Sequence, residues 1–454
     1  MLVKPQLFGT DGVRGVAGRY PLDQETVAKL GRALGAVLAA ATGVAHPEIL
    51  LGRDTRESSP WIASALAAGL RASGARVAFA GIITTPGVAF LARHHGFAAG
   101  AMISASHNPF EDNGIKVFSS AGIKLPEAIE LEVERALAGM VTVETGASIP
   151  DLEPSPGLAE DYLQFIESLA PSGNHISRFR LVADCANGAA SAIAPEVFKR
   201  LGLEAQIIHA EPAGRNINQD CGALHPASMA AAAQRASADL GIAFDGDADR
   251  AIFASPAGRV LDGDHVLFAA APFMKASGLL KGEAVVGTLM TNLSLETALK
   301  HHGIGLKRTA VGDKFVLEEM LRSGINLGGE PSGHIIFSDL SLAGDGFISL
   351  IQMLHLLAAT ESTLDELMYD YKPFPQVILS VRVQEKRSLG AVPEVARAME
   401  RCHDDLGESG RVVLRYSGTE PVARVMVEGE DAVVVLRHAE QIAAAVESAL
   451  GSTG

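Results

Sequence analysis

Three aspartates close together in the chain are the strongest sign of chemistry. They lie in the string Asp245-Gly246-Asp247-Ala248-Asp249-Arg250, which follows an apolar run from Leu240 to Phe244 that predicts a buried strand. Alternate positions share a side of a strand, so the three carboxylates should meet. Carboxylates at close range repel one another by up to about 4 kcal/mol per pair at an effective dielectric near 20, and a divalent cation reverses this repulsion. Oxygen ligands with no histidine or cysteine beside them favour Mg²⁺, and the alternative interpretation is a solvated acidic loop.

A candidate nucleophile lies in a second loop, Ser104-Ala105-Ser106-His107-Asn108-Pro109, which follows the apolar stretch from Phe97 to Ile103. A serine hydroxyl beside an imidazole can act as a nucleophile, and a serine that faces a carboxylate-bound metal can carry a phosphoryl group. The same string is also ordinary turn chemistry, so the residues alone leave both interpretations open. Asn113-Gly114 predicts a turn that closes the loop, and Lys116 just beyond it is within reach of a phosphate or a proton.

Two further loops have the composition of binding sites. The string Arg415-Tyr416-Ser417-Gly418-Thr419-Glu420-Pro421 separates two strand-like segments, 412–414 and 422–427. Its glycine lets backbone N–H groups converge, its hydroxyls donate, and Arg415 with Arg424 can grip a phosphate; the alternative is a hairpin turn with surface arginines. The string Gly328-Gly329-Glu330-Pro331-Ser332-Gly333-His334 offers donors and acceptors suited to sugar hydroxyls, although glycine-rich turns with a glutamate are common.

These four loops occur together with other distinctive strings. They are Phe8-Gly9-Thr10-Asp11-Gly12-Val13-Arg14-Gly15, the DCANGA string from Asp184 to Ala189, Asn216-Ile217-Asn218, Cys221-Gly222 and His225-Pro226. With them the chain resembles the α-D-phosphohexomutase superfamily over nearly its whole length. The opening string and the segment from Asn216 to Pro226 are most similar to the phosphoglucosamine mutase branch. The sequence departs from the family pattern at Pro331, where glutamine is expected, and at Tyr416, where proline is expected. The missing amide at position 331 bears on sugar specificity.

The resemblance implies a role for each loop. Ser106 would be the phosphoserine and would hold one Mg²⁺ per chain together with Asp245, Asp247 and Asp249. Glu330 and Ser332 would bind the 3- and 4-hydroxyls of the sugar, with His334 beside them. The phosphate that is not being transferred would be held by Arg415, Ser417, Gly418, Thr419 and Arg424. The transfer centre would be lined by Arg14, His107, Lys116 and Arg250. The candidates for the general base are Lys116, slightly preferred, His107 and His334, and Ser104 is expected to be a bystander.

The activity that the resemblance implies is an isomerase reaction on an amino-sugar phosphate. Phosphoserine 106 would give its phosphoryl group to the 1-hydroxyl of glucosamine 6-phosphate, and the 1,6-bisphosphate would turn round and return its 6-phosphate to the serine. The product, glucosamine 1-phosphate, would supply the synthesis of amino-sugar nucleotides and peptidoglycan precursors, and glucosamine or glucose 1,6-bisphosphate would be an activator. Either end of the bisphosphate must fit one phosphate loop, so that loop is expected on a domain able to swing.

Three alternative functions stay open. The first is the phosphomannomutase/phosphoglucomutase activity of related branches. The second is a Mg²⁺-dependent sugar phosphatase, which would have no need of the second phosphate grip around Arg415. The third is a non-catalytic sugar-phosphate sensor, which would be expected to have lost Ser106 or one of the aspartates, and none is missing.

The composition limits the partners. The chain has 454 residues and a net charge of −15, which argues against a nucleic acid or an anionic membrane as a partner. The given sequence shows neither a basic-plus-apolar leader nor a charge-free span of about twenty residues, so we expect a soluble protein. Its three widely spaced cysteines, Cys185, Cys221 and Cys402, suit a reducing cytoplasm. We therefore expect a cytoplasmic protein that binds a small sugar phosphate. The sequence does not give the oligomeric state, and a homodimer is one possibility.

Strand and helix signals alternate along the chain. Glu48 to Leu51 and Arg76 to Ala80 read as strands, and helices are predicted from Ser59-Pro60 to about Ala72 and from Thr85-Pro86, which favours a parallel α/β domain. The predicted fold class is α/β, with three similar mixed α/β domains followed by a smaller α+β C-terminal domain, all arranged round a central cleft. The predicted domains are 1–153, which carries the phosphoserine loop, 154–255, which carries the metal-binding loop, 256–370, which carries the sugar-binding loop, and 371–454, which carries the phosphate-binding loop.

Overall fold

The described residues form four sheets, each covered by helices. The computed structural model describes residues 7–140, 151–171, 176–416 and 421–451. The first three units each have a sheet of mixed strand direction, and the fourth has a three-stranded antiparallel sheet packed against two helices. This architecture confirms the predicted fold class.

The first unit supplies the serine loop. Its elements are β1 Val13–Val16, α1 Gln24–Thr42, β2 Glu48–Arg53, α2 Ser59–Ala72, β3 Arg76–Ile82, α3 Thr85–His94, β4 Ala99–Ile103, β5 Asp112–Ser119 and α4 Glu127–Ala138. The sheet order is β1-β5-β4-β2-β3. Strand β4 is buried at every residue because its alternate side chains enter the cores on opposite faces of the sheet. It ends where the serine loop begins.

The second unit supplies the aspartate loop. Its elements are α5 Leu158–Ser168, β6 Arg180–Asp184, α6 Ala190–Arg200, β7 Glu204–Ile208, α7 Ala227–Arg235, β8 Leu240–Phe244, β9 Ala251–Ala254 and β10 Val260–Leu261. The sheet order is β10-β9-β8-β6-β7. Strand β8 has the predicted bounds and is buried throughout. Strand β10 pairs with β9, so the second sheet continues past residue 255.

The third and fourth units carry the candidate sugar and phosphate loops. The third comprises α8 Gly263–Ala276, β11 Ala284–Thr288, α9 Leu293–His301, β12 Gly305–Thr309, α10 Asp313–Ser323, β13 Leu327–Gly329, β14 Ile335–Phe337, α11 Gly346–Thr360 and α12 Leu364–Leu367, with the sheet order β12-β11-β13-β14. The fourth comprises β15 Gln376–Arg382, α13 Pro393–Leu406, β16 Gly410–Tyr416, β17 Val422–Gly429 and α14 Ala432–Leu450, with the order β15-β17-β16.

The alternation of strands and helices predicted a parallel sheet in the first unit. This prediction was wrong for part of the sheet. Strand β2 is parallel to β3 and β4, but β4 and β5 are antiparallel, as are β1 and β5. The reason is that β4 and β5 are joined by the serine loop alone, which is too short to contain the crossover that a parallel pair needs. Asn113-Gly114, predicted as a turn, consequently lies inside β5 and pairs with Gly15 and Arg14 of β1.

One hydrophobic cluster runs through the first three units, from Leu50 to Tyr371, and packs them into a common body. All three cysteines are buried and free of disulfide bonds. In the part of the chain that the structure describes, no helix combines the length and the apolar character needed to cross a membrane.

Candidate active site

Ser106 lies just beyond strand β4 in an uncommon backbone conformation. Its φ is 54°, a region that residues other than glycine rarely adopt. Its hydroxyl donates a hydrogen bond to Oδ2 of Asp245 at 2.6 Å, and Nδ1 of His107 lies 3.4 Å from the same hydroxyl oxygen. Ser104, expected to be a bystander, accepts the backbone N–H of Ser106 at 3.0 Å. The serine loop of the first unit therefore contacts the aspartate loop of the second directly.

The three predicted aspartates meet at the end of β8. A ligand oxygen from each of Asp245, Asp247 and Asp249 lies within 4.8 Å of the others, and all three residues are buried. The local structure differs from the predicted alternation along a strand. The backbone turns after β8, with the N–H of Ala248 donating to the carbonyl of Asp245 at 3.1 Å and Ala248 at a φ of 56°. The turn gathers the carboxylates on one side of the loop.

Lys116 is buried among these carboxylates. Its Nζ lies 2.7 Å from Oδ2 of Asp247, 3.1 Å from Oδ2 of Asp249 and 3.3 Å from Oδ2 of Asp11. Burial opposes its charge, but the three carboxylates together raise the pKa of Lys116 well above its ordinary value. An ammonium held in this way by three carboxylates can serve as a base only after it has lost a proton and given up one of these contacts. The preference for Lys116 as general base stays a prediction.

The aspartates differ in their electrostatic environment. Burial, followed by repulsion from Asp249 and Asp247, raises the pKa of Asp245 to about 8. Burial also works against ionisation of Asp249, but Lys116, His334 and Arg250 outweigh it and hold the pKa of Asp249 well below its usual range. A further cation beside Asp245 would favour its ionised form.

Two arginines contact the serine and aspartate loops, and an imidazole lies beside the serine. Nη1 of Arg14 donates to the carbonyl of Ala105 at 3.3 Å, and Arg14 also pairs with Asp11. Nε of Arg250 lies 3.8 Å from Oδ1 of Asp249. Burial, together with the charges of Arg250 and Arg14, lowers the pKa of His107 to about 3. The imidazole beside Ser106 is thus neutral, and the cationic groups around it suit a phosphoryl group.

The candidate sugar loop is a tight connection between β13 and β14. The N–H of Glu330 donates to the carbonyl of His334 at 3.0 Å, and Gly333 has a φ of 91°. A Cβ atom on Gly333 would lie 2.4 Å from the carbonyl oxygen of Ala251, so only glycine fits. Because Ala251 directly follows the aspartate loop, the sugar loop packs against the aspartate loop.

The side chains of the sugar loop face the same centre. Oε1 of Glu330 accepts the N–H of Gly312 at 3.0 Å, and burial raises the pKa of Glu330. Nδ1 of His334 lies 3.7 Å from Oδ1 of Asp249. Burial opposes protonation of His334, but its contact with Asp249 and the charges of Asp313 and Glu330 raise the pKa of His334 to about 8.

The candidate phosphate loop lies between β16 and β17. Arg415 and Arg424 are direct partners across these antiparallel strands. Burial and the neighbouring charge of Arg424 lower the pKa of Arg415. Two guanidinium groups in opposed positions across a strand pair can bind one anion between them. Ser417, Gly418 and Thr419 lie outside the described residues.

Several buried polar atoms of the site have no hydrogen-bond partner. Among the described residues, nine buried side-chain atoms lack a partner. Five of these belong to the site: Nε of Arg14, Oδ1 of Asp247, Oδ1 of Asp249, Nε of Arg250 and Oγ of Ser332. Unsatisfied buried groups are costly, so their concentration indicates ligands. The carboxylate oxygens fit a hard cation such as Mg²⁺, the guanidinium N–H groups fit an anion, and the hydroxyl fits a polar substrate.

Comparisons with known proteins agree with this arrangement. The chain matches the family models for Phosphoglucomutase/phosphomannomutase: alpha/beta/alpha domain I at residues 5–141, domain II at 160–258, domain III at 262–374 and the C-terminal domain at 379–445. The phosphoglucosamine mutase of Koribacter versatilis is 51% identical over 98% of this chain and 97% of its own length. That of Solibacter usitatus is 48% identical over 98% of this chain and 99% of its own.

The chain belongs to the phosphoglucosamine mutase family.

A solved structure shares the fold at low sequence identity. The N-acetylphosphoglucosamine mutase of Aspergillus fumigatus, in complex with GlcNAc-6P and magnesium, is 18% identical, with a TM-score of 0.65 over 93% of this chain and 97% of that one. The predicted family is confirmed for this chain by the phosphoglucosamine mutase relatives, and an acidic triad of the kind that holds a metal is present.

Sequence analysis missed several residues that complete the site in this phosphoglucosamine mutase family member. Nζ of Lys124 lies 2.7 Å from both Oδ1 of Asp11 and Oδ1 of Asp313, which links the first and third units. Thr85, interpreted only as the start of a helix, donates from Oγ1 to Oδ2 of Asp247 at 2.5 Å. Asp11 lies in one of the strings that carried the resemblance, but Lys124, Asp313 and Thr85 show no local signal of these long-range contacts.

Proposed function

We propose that this protein interconverts glucosamine 6-phosphate and glucosamine 1-phosphate, with Ser106 as the carrier of the phosphoryl group. The concentration of unpartnered buried atoms in one site is the observation that carries the proposal. They call for a cation, an anion and a polar substrate around a single serine hydroxyl. The names of relatives up to 51% identical over nearly the whole chain support glucosamine as the sugar.

Ser106 is the proposed nucleophile because its hydroxyl already lies against a carboxylate, 2.6 Å from Asp245. In the forward direction the 1-hydroxyl of glucosamine 6-phosphate forms a bond to phosphorus as the bond from phosphorus to the serine oxygen breaks. The hydroxyl proton passes to a base, for which Lys116, His107 and His334 are the candidates. The resulting 1,6-bisphosphate turns round, and its 6-phosphate returns to Ser106 by the same exchange, which releases glucosamine 1-phosphate.

One Mg²⁺ per chain is the proposed cofactor. Asp245, Asp247, Asp249 and the oxygen of Ser106 would hold it, since they supply oxygen donors only and two of the aspartate oxygens lack partners. The metal supplies charge neutralisation for the phosphoryl group and the aspartates. The chain's own contribution is position, because Thr85 and Lys116 orient the carboxylate of Asp247 through hydrogen bonds.

Fixed cations on the protein supply the remaining neutralisation. Arg14 and Arg250 each keep a buried N–H group without a partner close to the serine loop, and such groups bind phosphoryl oxygens well. His107 is neutral in this arrangement and can donate or accept one hydrogen bond at the serine. Phosphoryl transfer depends mainly on such positioning and charge, which is why so many cations gather around one nucleophile.

Sugar recognition is proposed for Glu330, Ser332 and His334. Oγ of Ser332 is buried without a partner, and the carboxylate of Glu330 uses one oxygen on the backbone of Gly312. These groups suit the 3- and 4-hydroxyls, which exchange places when the sugar turns round. A rigid pair of acceptors and donors can therefore hold the sugar in both orientations.

The phosphate remote from Ser106 is proposed to bind between Arg415 and Arg424, with Ser417, Gly418 and Thr419 completing the loop. The opposed arginines on β16 and β17 support this role, because two guanidinium groups side by side can grip a phosphate. A phosphatase has no use for this second grip, and the grip is the reason to prefer a mutase. We expect the fourth unit to swing as the bisphosphate turns, and glucosamine or glucose 1,6-bisphosphate to activate the enzyme. A cytoplasmic location and a homodimer stay predictions.

The test is a direct assay of the reaction by ³¹P NMR. Purified protein with Mg²⁺ and a trace of glucose 1,6-bisphosphate is given glucosamine 6-phosphate, glucose 6-phosphate or mannose 6-phosphate in parallel. We expect conversion of glucosamine 6-phosphate to the 1-phosphate at the highest catalytic efficiency. A higher efficiency on glucose or mannose phosphate would favour the phosphoglucomutase or phosphomannomutase alternative. Release of inorganic phosphate as the main product would show a phosphatase.

A further inference from the structure

Two backbone carbonyls of the serine loop accept hydrogen bonds from two different units. Nη2 of Arg56, in the first unit, donates to the carbonyls of Ser106 and Asn108, both at 2.9 Å. Nδ2 of Asn218, in the second unit, donates to the same two carbonyls at 2.9 and 3.1 Å. The backbone on either side of His107 is therefore held from both sides of the domain boundary.

Arg56 is the inner half of this clamp. Its side chain is fully buried, and every N–H direction of its guanidinium group is used. Nε donates to Oδ2 of Asp54 at 2.9 Å, and Nη1 donates to the carbonyls of Asp112, at 3.1 Å, and Pro109. Four of the five hydrogen bonds of its guanidinium group thus go to backbone carbonyls of the serine loop and the start of β5. The planar guanidinium fixes the course of that loop within the first unit.

Asn218 is the outer half, and it comes from a sequence string that has no other role in the site. It lies in Asn216-Ile217-Asn218, and its backbone has a φ of 58°, a conformation in which asparagine is among the few favoured residues. Its own N–H donates to the carbonyl of Ala186 at 2.9 Å, which ties it to the loop after β6. Its amide is thus anchored in the second unit before it reaches the serine loop.

The carbonyl of Ser106 is enclosed on a third side by the aspartate loop. A Cβ atom built on Gly246 would lie 2.4 Å from this carbonyl oxygen and 3.0 Å from Nδ2 of Asn218. The backbone between Asp245 and Asp247 therefore packs directly on the carbonyl that Asn218 holds. Ser106 is kept at a φ of 54°, a strained backbone conformation for a residue other than glycine that persists only where surrounding contacts impose it.

We propose that Asn218 is a positioning residue for phosphoryl transfer. By holding the carbonyl of Ser106 from the second unit, it keeps the serine in its strained conformation with Oγ directed at Asp245, and it sets the serine loop in register with the aspartate loop. The inference rests on the proposed function of Ser106 as the phosphoryl carrier. Among the described residues, the side-chain amide of Asn218 donates to backbone carbonyls, so its loss should slow transfer more than it weakens sugar binding.

The test uses two variants that remove the donor in different ways. Asn218→Asp keeps the shape and the backbone preference but loses both N–H donors, and Asn218→Gly removes the side chain while still allowing the positive φ. The matched control is Asn216→Asp in the same string. Nδ2 of Asn216 donates to the carbonyl of Glu211 at 3.0 Å and its Oδ1 accepts the N–H of Ala213, so its side chain holds only its own loop.

Each variant is measured for kcat, KM, thermal midpoint and the rate at which glucose 1,6-bisphosphate phosphorylates Ser106, followed by intact mass. We expect both Asn218 variants to lose about ten- to a hundredfold in kcat and in the phosphorylation rate, with KM changed less than threefold, because small displacements of a reacting group are costly. Asn216→Asp should keep both rates within about threefold of the original protein.

Two results would overturn the inference. One is an Asn218 variant with normal kcat and phosphorylation rate, whatever its thermal midpoint, and the other is an equal loss in Asn216→Asp. If the unaltered protein turns over another hexose phosphate and not glucosamine phosphate, the proposed function fails instead. The role of Asn218 is then judged on the phosphorylation rate of Ser106, which does not depend on the sugar specificity.

Discussion

Replacing Asp247 by asparagine tests the metal site without removing a side chain from the core. Oδ2 of Asp247 accepts hydrogen bonds from Lys116 at 2.7 Å and Thr85 at 2.5 Å, and Oδ1 has no partner. In Asp247→Asn the amide oxygen can keep both bonds, and the lost attraction to Lys116 is offset by weaker repulsion from the other two aspartates. We therefore expect little change in thermal stability when Mg²⁺ is absent.

With Mg²⁺ present the variant should differ strongly. At a free concentration a hundred times the Kd, binding stabilises a folded protein by about 2.7 kcal/mol, and a hundredfold weaker Kd reduces this gain to about 0.4 kcal/mol. A loss of this size corresponds to one charge-assisted contact. The measurement is the thermal midpoint of the original protein and the variant across a Mg²⁺ titration after treatment with EDTA, with mutase activity followed in parallel.

Asp239→Asn is the matched control, because Asp239 lies just before strand β8 and Asp245 just after it. Asp239 accepts the backbone N–H of Arg180 at 2.7 Å and has no part in the aspartate cluster. Its Mg²⁺-dependent gain should equal that of the original protein. If Asp247→Asn showed the same gain and the same Mg²⁺ activation as the original protein, the assignment of this cluster to Mg²⁺ would be refuted.

Three further predictions concern the serine, the phosphate loop and the core. Ser106→Ala should lose essentially all turnover, whereas Ser104→Ala should retain much of it at reduced stability, because the second change leaves a buried N–H without its acceptor; equal turnover in steady-state assays would contradict the choice of nucleophile. Arg415→Ala should lower catalytic efficiency roughly ten- to over a hundredfold, because it removes one charge-assisted contact to phosphate. Added 1,6-bisphosphate should partly restore the rate. Normal substrate affinity in this variant would show that the loop is a hairpin turn that does not bind phosphate. Tyr162→Phe removes the buried hydroxyl that donates to a carboxylate at 2.9 Å and should lower stability by about 1.5–3 kcal/mol in thermal or denaturant unfolding. The control is Tyr369→Phe at an exposed position, which should change the free energy of unfolding by less than about 0.5 kcal/mol. Equal effects of the two substitutions would show that the buried hydrogen bond does not stabilise the fold.

Much of the fold follows from local patterns. The apolar run from Leu240 to Phe244 becomes strand β8 with the predicted bounds, and the helix predicted from Ser59 ends at Ala72 as expected. These segments are predictable because burial on both faces needs uninterrupted apolar residues and because proline favours the first turn of a helix. The turn predicted at Asn113-Gly114 was wrong, since a dipeptide typical of turns is tolerated inside a strand when both of its residues pair with a neighbouring strand, here β1.

The site was predictable where chemistry concentrates in short strings and not where it depends on distant contacts. Asp245, Asp247 and Asp249 could be grouped from their spacing, although a turn rather than a strand brings them together. The bond from Ser106 to Asp245 joins residues 139 positions apart, and the resemblance to a family suggested that neighbourhood where spacing could not. The contact between Lys124 and Asp313 had no signal of either kind, because a lone lysine and a lone aspartate are ordinary on any surface.

The most direct test of the central claim is the phosphorylation state of the protein itself. Purified protein is weighed intact by mass spectrometry after incubation with glucose 1,6-bisphosphate and Mg²⁺, then again after addition of excess glucosamine 6-phosphate, and the modified peptide is sequenced. The account predicts one added phosphoryl group, located on Ser106, which is lost to the sugar and regained as turnover proceeds. A protein that turns over fully with no phosphoryl group on Ser106, or with the group on another residue, would contradict it.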